Sequence, residues 1–381
     1  MALRTWLISW RLRSGTAAVR RKALEALDAT HDARSVELLR QGLGDTAPEV
    51  RCAAIRGLQQ VRDEQALAAV SSTLLDNDDT VREAAASALG HMGEPSVCAC
   101  LASLLKDHVA AVRTAAAVAL RDLGWKPATA EEQAIFEVAL GRVHAAALAG
   151  SVAVTALVKE LKHDTSFMRR AAAEALEQVD DPRTTAPLLV ALRDEEPTVR
   201  VSAAHTLSKD PSAAVVPPLL ALFSDREACV RLAAAEALSK RLDPLLAPHF
   251  LRLLSDSHFE VRLTAVQFLG RLRNPQIAQA LLPLLKDSDS DVRAASAQAL
   301  GVMGEPAAIE LLVLAMMDED RGVRSASEMA LARIDPHWAK SEAAQRAAVQ
   351  LKAALDDPRG WVRSAVSQVL AQLQPQAAGA A

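Results

Sequence analysis

The sequence predicts an all-α solenoid built from stacked helical hairpins. Three observations carry that prediction. The dipeptide Val-Arg returns at a 31-residue period, and the residues after it form an apolar stripe at helical spacing. The composition is rich in alanine, with 3% aromatics and no tyrosine. Half of the 381 residues are hydrophobic, which excludes a disordered chain, and alanine favours thin helices that pack closely.

Val19, Val50, Val81, Val112, Val199, Val230, Val261, Val292, Val323 and Val362 each precede an arginine, and Met168-Arg169 fills one more slot. Successive spacings are 31, 31, 31, 56, 31, 31, 31, 31, 31 and 39, so the two breaks are 31 plus 25 and 31 plus 8. Val61-Arg62 is out of register and incidental. Chance does not hold a register over eleven copies.

Five residues before the Val stands Asp45, Asp76, Asp107, Asp194, Asp225, Asp256, Asp287, Asp318 or Asp357; Ser14 and His163 are the exceptions. Three before it stand Thr16, Asp78, Thr165, Asp289 and Asp320, and the next slot admits Pro48 and Pro197. That pair of slots reads as a helix N-cap and first helical residue. Counting from the Val as zero, position four is Ala or Ser in ten copies, with Val366 the exception. Position eight is Leu in all eleven, from Leu27 to Leu370. Positions 0, 4, 8 and 11 make one apolar stripe. Gly93, Gly124 and Gly304 end copies of this helix in C-cap fashion. A companion helix with its own apolar face follows, as in "PAAIELLVLAMMD".

Such a hairpin cannot bury both faces alone, so the units must stack. An arginine inside the stack needs acceptors, because an unpaired buried charge is costly. The repeat aspartate, in its own or the adjacent unit, is the expected partner. The predicted ladder runs through Asp194, Arg200, Asp225, Arg231, Asp256, Arg262, Asp287 and Arg293. Asp287, Asp289 and Asp291 are spaced like the first ligands of a calcium loop, but Val292 and Gln298 stand where it needs Gly and Glu. Asp289 therefore reads as a helix cap, and no metal site is expected.

"VREAAASALGHMGEP" and "VRAASAQALGVMGEP" resemble HEAT-like repeats of the short type named for phycobilisome lyases, over about residues 14–372. The resemblance implies a right-handed superhelix of about eleven hairpins, with the Val-Arg helices on the concave face. Its members include scaffolds, bilin-lyase subunits and one iron enzyme, deoxyhypusine hydroxylase. The hydroxylase carries His-Glu pairs soon after its Val-Arg. The matching slots here read Glu83-Ala84, Thr114-Ala115 and Leu263-Thr264, and the chain has no His-Glu dipeptide, so that activity is not expected. HEAT-like DNA glycosylases use a basic concave face, which a net charge of −4 and a pI near 6.2 do not match.

The breaks divide the chain into repeats with a capping helix over 1–124, a helical insertion over 125–149, repeats over 150–374 and a disordered tail over 375–381. In the insertion, Thr129 and Glu132 form a capping box that predicts a helix over about 130–141, packing Trp125 and Phe136 on the stack. Insertions of this Gly-Trp-x-Pro kind occur in bacterial members of the repeat class, and a bacterial source is expected. The second break predicts a lengthened helix. At the N-terminus, Leu3, Trp6, Leu7 and Trp10 fall at i, i+3, i+4 and i+7, among Arg4, Arg11 and Arg13. This stripe suits the first repeat's missing helix better than an interfacial membrane anchor.

Cys52, Cys98, Cys100 and Cys229 give no disulfide framework. Cys98 and Cys100 read as buried thiols rather than a metal pair. Nine scattered histidines give no ligand pair on one helix, and there is no nucleophile motif, phosphate loop or membrane span. The expectation is a non-enzymatic, cofactor-free scaffold, cytoplasmic and monomeric. The alternative, by family analogy, is an auxiliary subunit of a bilin-lyase-like or other cofactor-handling enzyme. Three successive copies carry Val201, Leu232 and Leu263 two residues after the Val, then His205 and, further on, Lys209, Lys240 and Arg271. These rows predict a face for an acidic, partly apolar protein segment.

Overall fold

The computed structural model describes residues 8–13, 15–27, 33–61 and 63–373. Leu3, Arg4, Trp6 and Leu7 of the N-terminal stripe, and the tail 375–381, lie outside the described residues. Among the described residues every regular element is helical. The chain divides into two compact units, Met1–Pro187 and Leu188–Ala381.

In the first unit the Val-Arg helices are Ala17–Glu25, Pro48–Leu58, Asp79–Met92, Ala110–Asp122 and Ser166–Leu176, alternating with shorter companions such as Glu64–Ser72 and Cys98–Ser103. In the second they are Pro197–Leu207, Ala228–Ser239, Phe259–Arg271, Ser290–Met303, Arg321–Ile334 and Gly360–Leu373, with companions such as Ala247–Leu253 and Ile309–Ala315. Each unit is thus an all-α solenoid of stacked hairpins. Consecutive Val-Arg helices pack on one another from Ala17–Glu25 to Ala110–Asp122, and from Pro197–Leu207 to Arg321–Ile334.

The stripe explains that packing. Val50, Val81 and Val112 in the first unit, and Val199, Val230, Val261, Val292 and Val323 in the second, are fully buried. So are the position-eight leucines from Leu58 onward in each of these copies, or nearly so. Burying one such side chain contributes about 1.5–3 kcal/mol. The cap slots also behave as the spacing predicts. Thr16, Asp78, Thr165, Asp289 and Asp320 are N-caps, and Pro48 and Pro197 open their helices. Asp289 Oδ1 accepts from the backbone N–H of Asp291 at 3.0 Å and of Val292 at 3.2 Å.

Position nine sets how near the helices come. A Cβ on Gly90 would lie 2.9 Å from the Cα of Ala119; one on Gly301 would lie 2.6 Å from the Cα of Ala330. In each pair a glycine at position nine meets an alanine at position seven of the next copy. Backbones approach there to a distance that only hydrogen on the glycine permits.

The 25-residue break is a further hairpin, cut short. Its first helix, Ala130–Ala139, has Thr129 as N-cap, with Thr129 Oγ1 accepting from Glu132 N–H at 3.1 Å. Trp125 meets Phe136 edge-on at 5.5 Å between centroids. Its second helix, Val143–Ala147, has only five residues and packs on Ser166–Leu176. Val143 stands 31 residues after Val112, with His144 in the arginine slot. The sequence reading anticipated one helix here and not the second. At the other break the companion Glu342–Ala353 has 12 residues, against seven in Ile309–Ala315, so the extra length goes into that helix.

The N-terminal residues 8–13 are helical. Ile8 is buried in the core of the first repeats and Leu12 packs on it, while Trp10 is exposed. Cys100 is exposed and Cys98 half-buried, so the pair is not the buried one expected; on a short helix, residues two apart face different ways.

Candidate protein-binding face

The arginine ladder is an inter-repeat structure. In the second unit, Arg231 Nε and Nη2 grip Asp256 at 2.7 and 2.8 Å, Arg262 grips Asp287 at 2.8 and 2.6 Å, and Arg293 grips Asp318 at 2.7 and 2.8 Å. Arg200 reaches Asp225 through Nη2 alone, at 2.8 Å, and its buried Nε has no partner among the described residues. In the first unit Arg20–Asp45, Arg51–Asp76 and Arg82–Asp107 repeat the two-pronged grip. In each of these pairs the carboxylate belongs to the next copy, 25 residues on.

Each guanidinium also ties its own turn. Arg200 Nη1 donates to the carbonyl of Asp194 at 2.8 Å, and Arg231 Nη1 to that of Asp225 at 2.9 Å. The aspartate closes the turn by accepting the N–H two residues on, as Asp194 does from Glu196 and Asp287 from Asp289. Arg20's bond, ahead of every other influence, holds Asp45 below the ordinary carboxylate range. Burial pushes Asp256 and Asp287 up, but the guanidinium and turn N–H bonds outweigh it and leave both low. The ladder's acceptors are therefore spent on structure.

A different stripe of the Val-Arg helices is open. In the second unit a groove of about 740 Å³ crosses four consecutive copies. Its walls are positions three, six and ten: Thr264, Gln267 and Arg271, then Ala295, Gln298 and Val302, then Ala326, Met329 and Arg333. Leu242 and Arg273 also line it. Val302, Leu242 and Met329 are exposed apolar side chains, 39, 42 and 51% accessible. The lining has three arginines and no acid.

Of the predicted face, Arg271 lines this groove. Val201, Leu232 and Leu263 are half-buried and lie outside its lining, as do His205, Lys209 and Lys240. Lys240 Nζ donates to Ser208 Oγ at 3.0 Å. Leu263 and Thr264 are both half-buried, and in the two preceding copies position three, Ser202 and Ala233, is more buried than position two. The signal for Val302, Met329 and Arg333 was the same stripe of positions six and ten followed further along the array, where it carries no acid.

In the first unit a groove of about 600 Å³ occupies the corresponding place, and its charge is reversed. Glu83, Asp122 and Asp164 line it with His91 and His163, and no lysine or arginine does.

The pattern described as HEAT repeats matches residues 5–90, 73–135, 154–239, 185–258 and 247–332. The chain belongs to the HEAT-repeat family. None of the curated proteins matches it. Among solved structures, an engineered protein is 19% identical, over 98% of this chain and 99% of that one, with a TM-score of 0.33. Human deoxyhypusine hydroxylase, solved with glycerol, is 20% identical over 88 and 96%, with a TM-score of 0.30. Kap95p, solved with RanGDP, is 14% identical over 97 and 57%, with a TM-score of 0.39.

The HEAT family name covers the repeat and leaves the short phycobilisome-lyase type open. Among the described residues of this HEAT protein no helix is long and apolar enough to cross a membrane, and no group of three His, Cys, Asp or Glu could hold a metal ion. In this HEAT array the ladder fixes the spacing of the helices, and the grooves are what that spacing presents.

Proposed function

We propose that this HEAT-repeat protein is a non-catalytic scaffold that binds an acidic, partly apolar protein segment in the groove of its second unit. The observation that carries the reading is the lining itself: exposed Leu242, Val302 and Met329 among Arg271, Arg273 and Arg333, with no acid. An apolar centre inside a charged rim suits protein recognition, and the rim sets charge preference and association rate. The whole chain carries a net charge of −4, so attraction for an acidic partner is local to this groove. Val201, Leu232, Leu263, His205, Lys209 and Lys240, the other residues of the face expected from the sequence, lie outside this groove's lining. HEAT solenoids commonly serve as binding scaffolds, which fits a cytoplasmic, monomeric adaptor.

Fluorescence anisotropy with two labelled peptides tests this. One alternates Asp or Glu with Leu and Phe; the other replaces each acid by lysine. The acidic peptide should bind more tightly, and binding should weaken with salt. Arg271→Glu with Arg333→Glu should reduce its affinity at least about tenfold, or about 1.4 kcal/mol. Equal binding of the two peptides, or no effect of the double variant in a normally folded protein, would sink the reading.

A further inference from the structure

The short hairpin in the first unit leaves a hole in the ladder. By register, Arg113 should find an aspartate 25 residues on, as Arg82 does; Val138 stands there. Glu160, buried and 47 residues on, supplies a substitute, accepting from Arg113 Nη2 at 2.5 Å. Nη1 donates to the carbonyls of Asp107 and His108 at 3.0 and 3.2 Å. Among the described residues no acceptor meets Nε, the atom that grips the second carboxylate oxygen elsewhere in the ladder.

That unfinished guanidinium faces a cavity. Arg113 is 6% exposed and lines a space of about 310 Å³, together with Val138. Leu105, Ile135 and Val152 give the space apolar walls. Its charges do not cancel. Arg113 is paired with Glu160, and Lys106 meets Glu131 at 4.0 Å. Among the described residues Lys159 donates only to backbone carbonyls, of Asp107 at 2.5 Å and Lys106 at 3.4 Å. Among the described residues one ammonium is left without an ion pair, beside an open guanidinium edge and apolar walls.

We propose that this cavity binds a small monocarboxylate with an apolar body, its carboxylate taking the place of the missing repeat aspartate between Arg113 Nε and Lys159. The volume lies at the low end for small-molecule sites, which sets the size of the ligand at a short aliphatic or aryl acid. Charge-assisted bonds from two cations fix one end, and Leu105, Ile135 and Val152 cover the other. Burial first, and then Arg113, push the Lys159 ammonium below the ordinary lysine pKa, outweighing Glu160 and Asp107, and a carboxylate beside it favours the charged form again. The site lies in the first unit, so its failure leaves the peptide groove of the second untouched.

Titration calorimetry on the full chain with octanoate and with 1-octanol tests it. Octanoate should bind, and the alcohol should bind at least about tenfold more weakly, since it lacks the charge. Lys159→Met should weaken octanoate about tenfold and leave octanol unchanged, with Lys159→Arg restoring most of the affinity. Val138→Asp returns a carboxylate to the ladder register and should abolish octanoate binding. If that variant fails to fold, Ala156→Leu, which fills the cavity, should remove both ligands. Absence of octanoate binding, equal binding of octanol, or an unchanged octanoate affinity in Lys159→Met overturns the proposal.

Discussion

Arg231 of one HEAT repeat holds Asp256 of the next through two parallel bonds, Nε to Oδ2 at 2.7 Å and Nη2 to Oδ1 at 2.8 Å. Its remaining amino group ties the turn of its own repeat through the Asp225 carbonyl at 2.9 Å. One side chain thus fixes both the turn and the spacing of two hairpins. Arg231→Ala removes both and leaves Asp256 largely buried without its counter-ion. The expected loss is about 1–3 kcal/mol, for acceptors and a charge left unpaired. Arg363 is exposed and donates only to the carbonyls of Asp357 and Pro358, so Arg363→Ala should cost clearly less. Urea titration of the two variants decides; equal midpoints would remove the ladder from the account of stability.

The ladder also predicts an acid limit. Asp45, Asp256 and Asp287 are held below the ordinary carboxylate pKa in the fold. The unfolded chain, with aspartates near about 3.9, then binds protons more readily than the folded one at mildly acid pH. The contribution is complete above that value and is lost as pH falls through the lower folded values. Stability should therefore be flat from about pH 7 to 5 and fall below about pH 4. Asp256→Asn should be less stable at neutral pH, with a shallower fall toward pH 2. Parallel curves for the variant and the parent would place the acid sensitivity elsewhere.

Two residues carry backbone strain that a glycine would remove. Leu242 and Arg273 both have φ of 50°, at successive copies of the slot that Gly304 fills with φ of 68°. A left-handed conformation costs a residue with a Cβ about 1–2 kcal/mol, part of which glycine gives back through its freer unfolded chain. Leu242→Gly should raise stability by about 0.5–1 kcal/mol, and Gly304→Leu should lower it by a similar or larger amount. Differential scanning calorimetry checks the signs. Because Leu242 also lines the peptide groove, a more stable Leu242→Gly with weaker peptide binding would separate the two roles.

Much of this was legible in the sequence, and the exceptions have physical causes. The period, cap slots, stripe and insertion helix are local patterns, each written in a few neighbouring residues. Which aspartate an arginine chooses is not local; the sequence left its own and the adjacent unit open, and the structure selects the adjacent one. The short hairpin escaped because both of its markers are replaced, His144 for the arginine and Val138 for the aspartate. The groove keeps positions six and ten of the expected face, as Gln267 and Arg271, but runs on into the next two copies, where Val302 and Met329 are the exposed apolar side chains. Where along the stack a groove opens depends on how neighbouring helices seat.

That seating rests on position nine, which gives the last prediction. Alanine normally favours a helix over glycine by about 1 kcal/mol, so Gly301→Ala would stabilise an exposed helix. Here the new Cβ would fall 2.6 Å from the Cα and 2.7 Å from the Cβ of Ala330. Neither atom is the end of a flexible side chain, so the helices Ser290–Met303 and Arg321–Ile334 must separate. Overpacking of this kind costs about 1–3 kcal/mol, enough to reverse the propensity gain. At Gly57 the obstacle is the tip of Leu39, which can rotate, so Gly57→Ala should be milder. Chemical denaturation should rank Gly301→Ala below the parent and below Gly57→Ala. Because Ala330 and Val302 line the same groove, Gly301→Ala should also widen it and weaken the acidic peptide. A Gly301→Ala protein as stable as its parent would mean that position nine does not set the helix spacing.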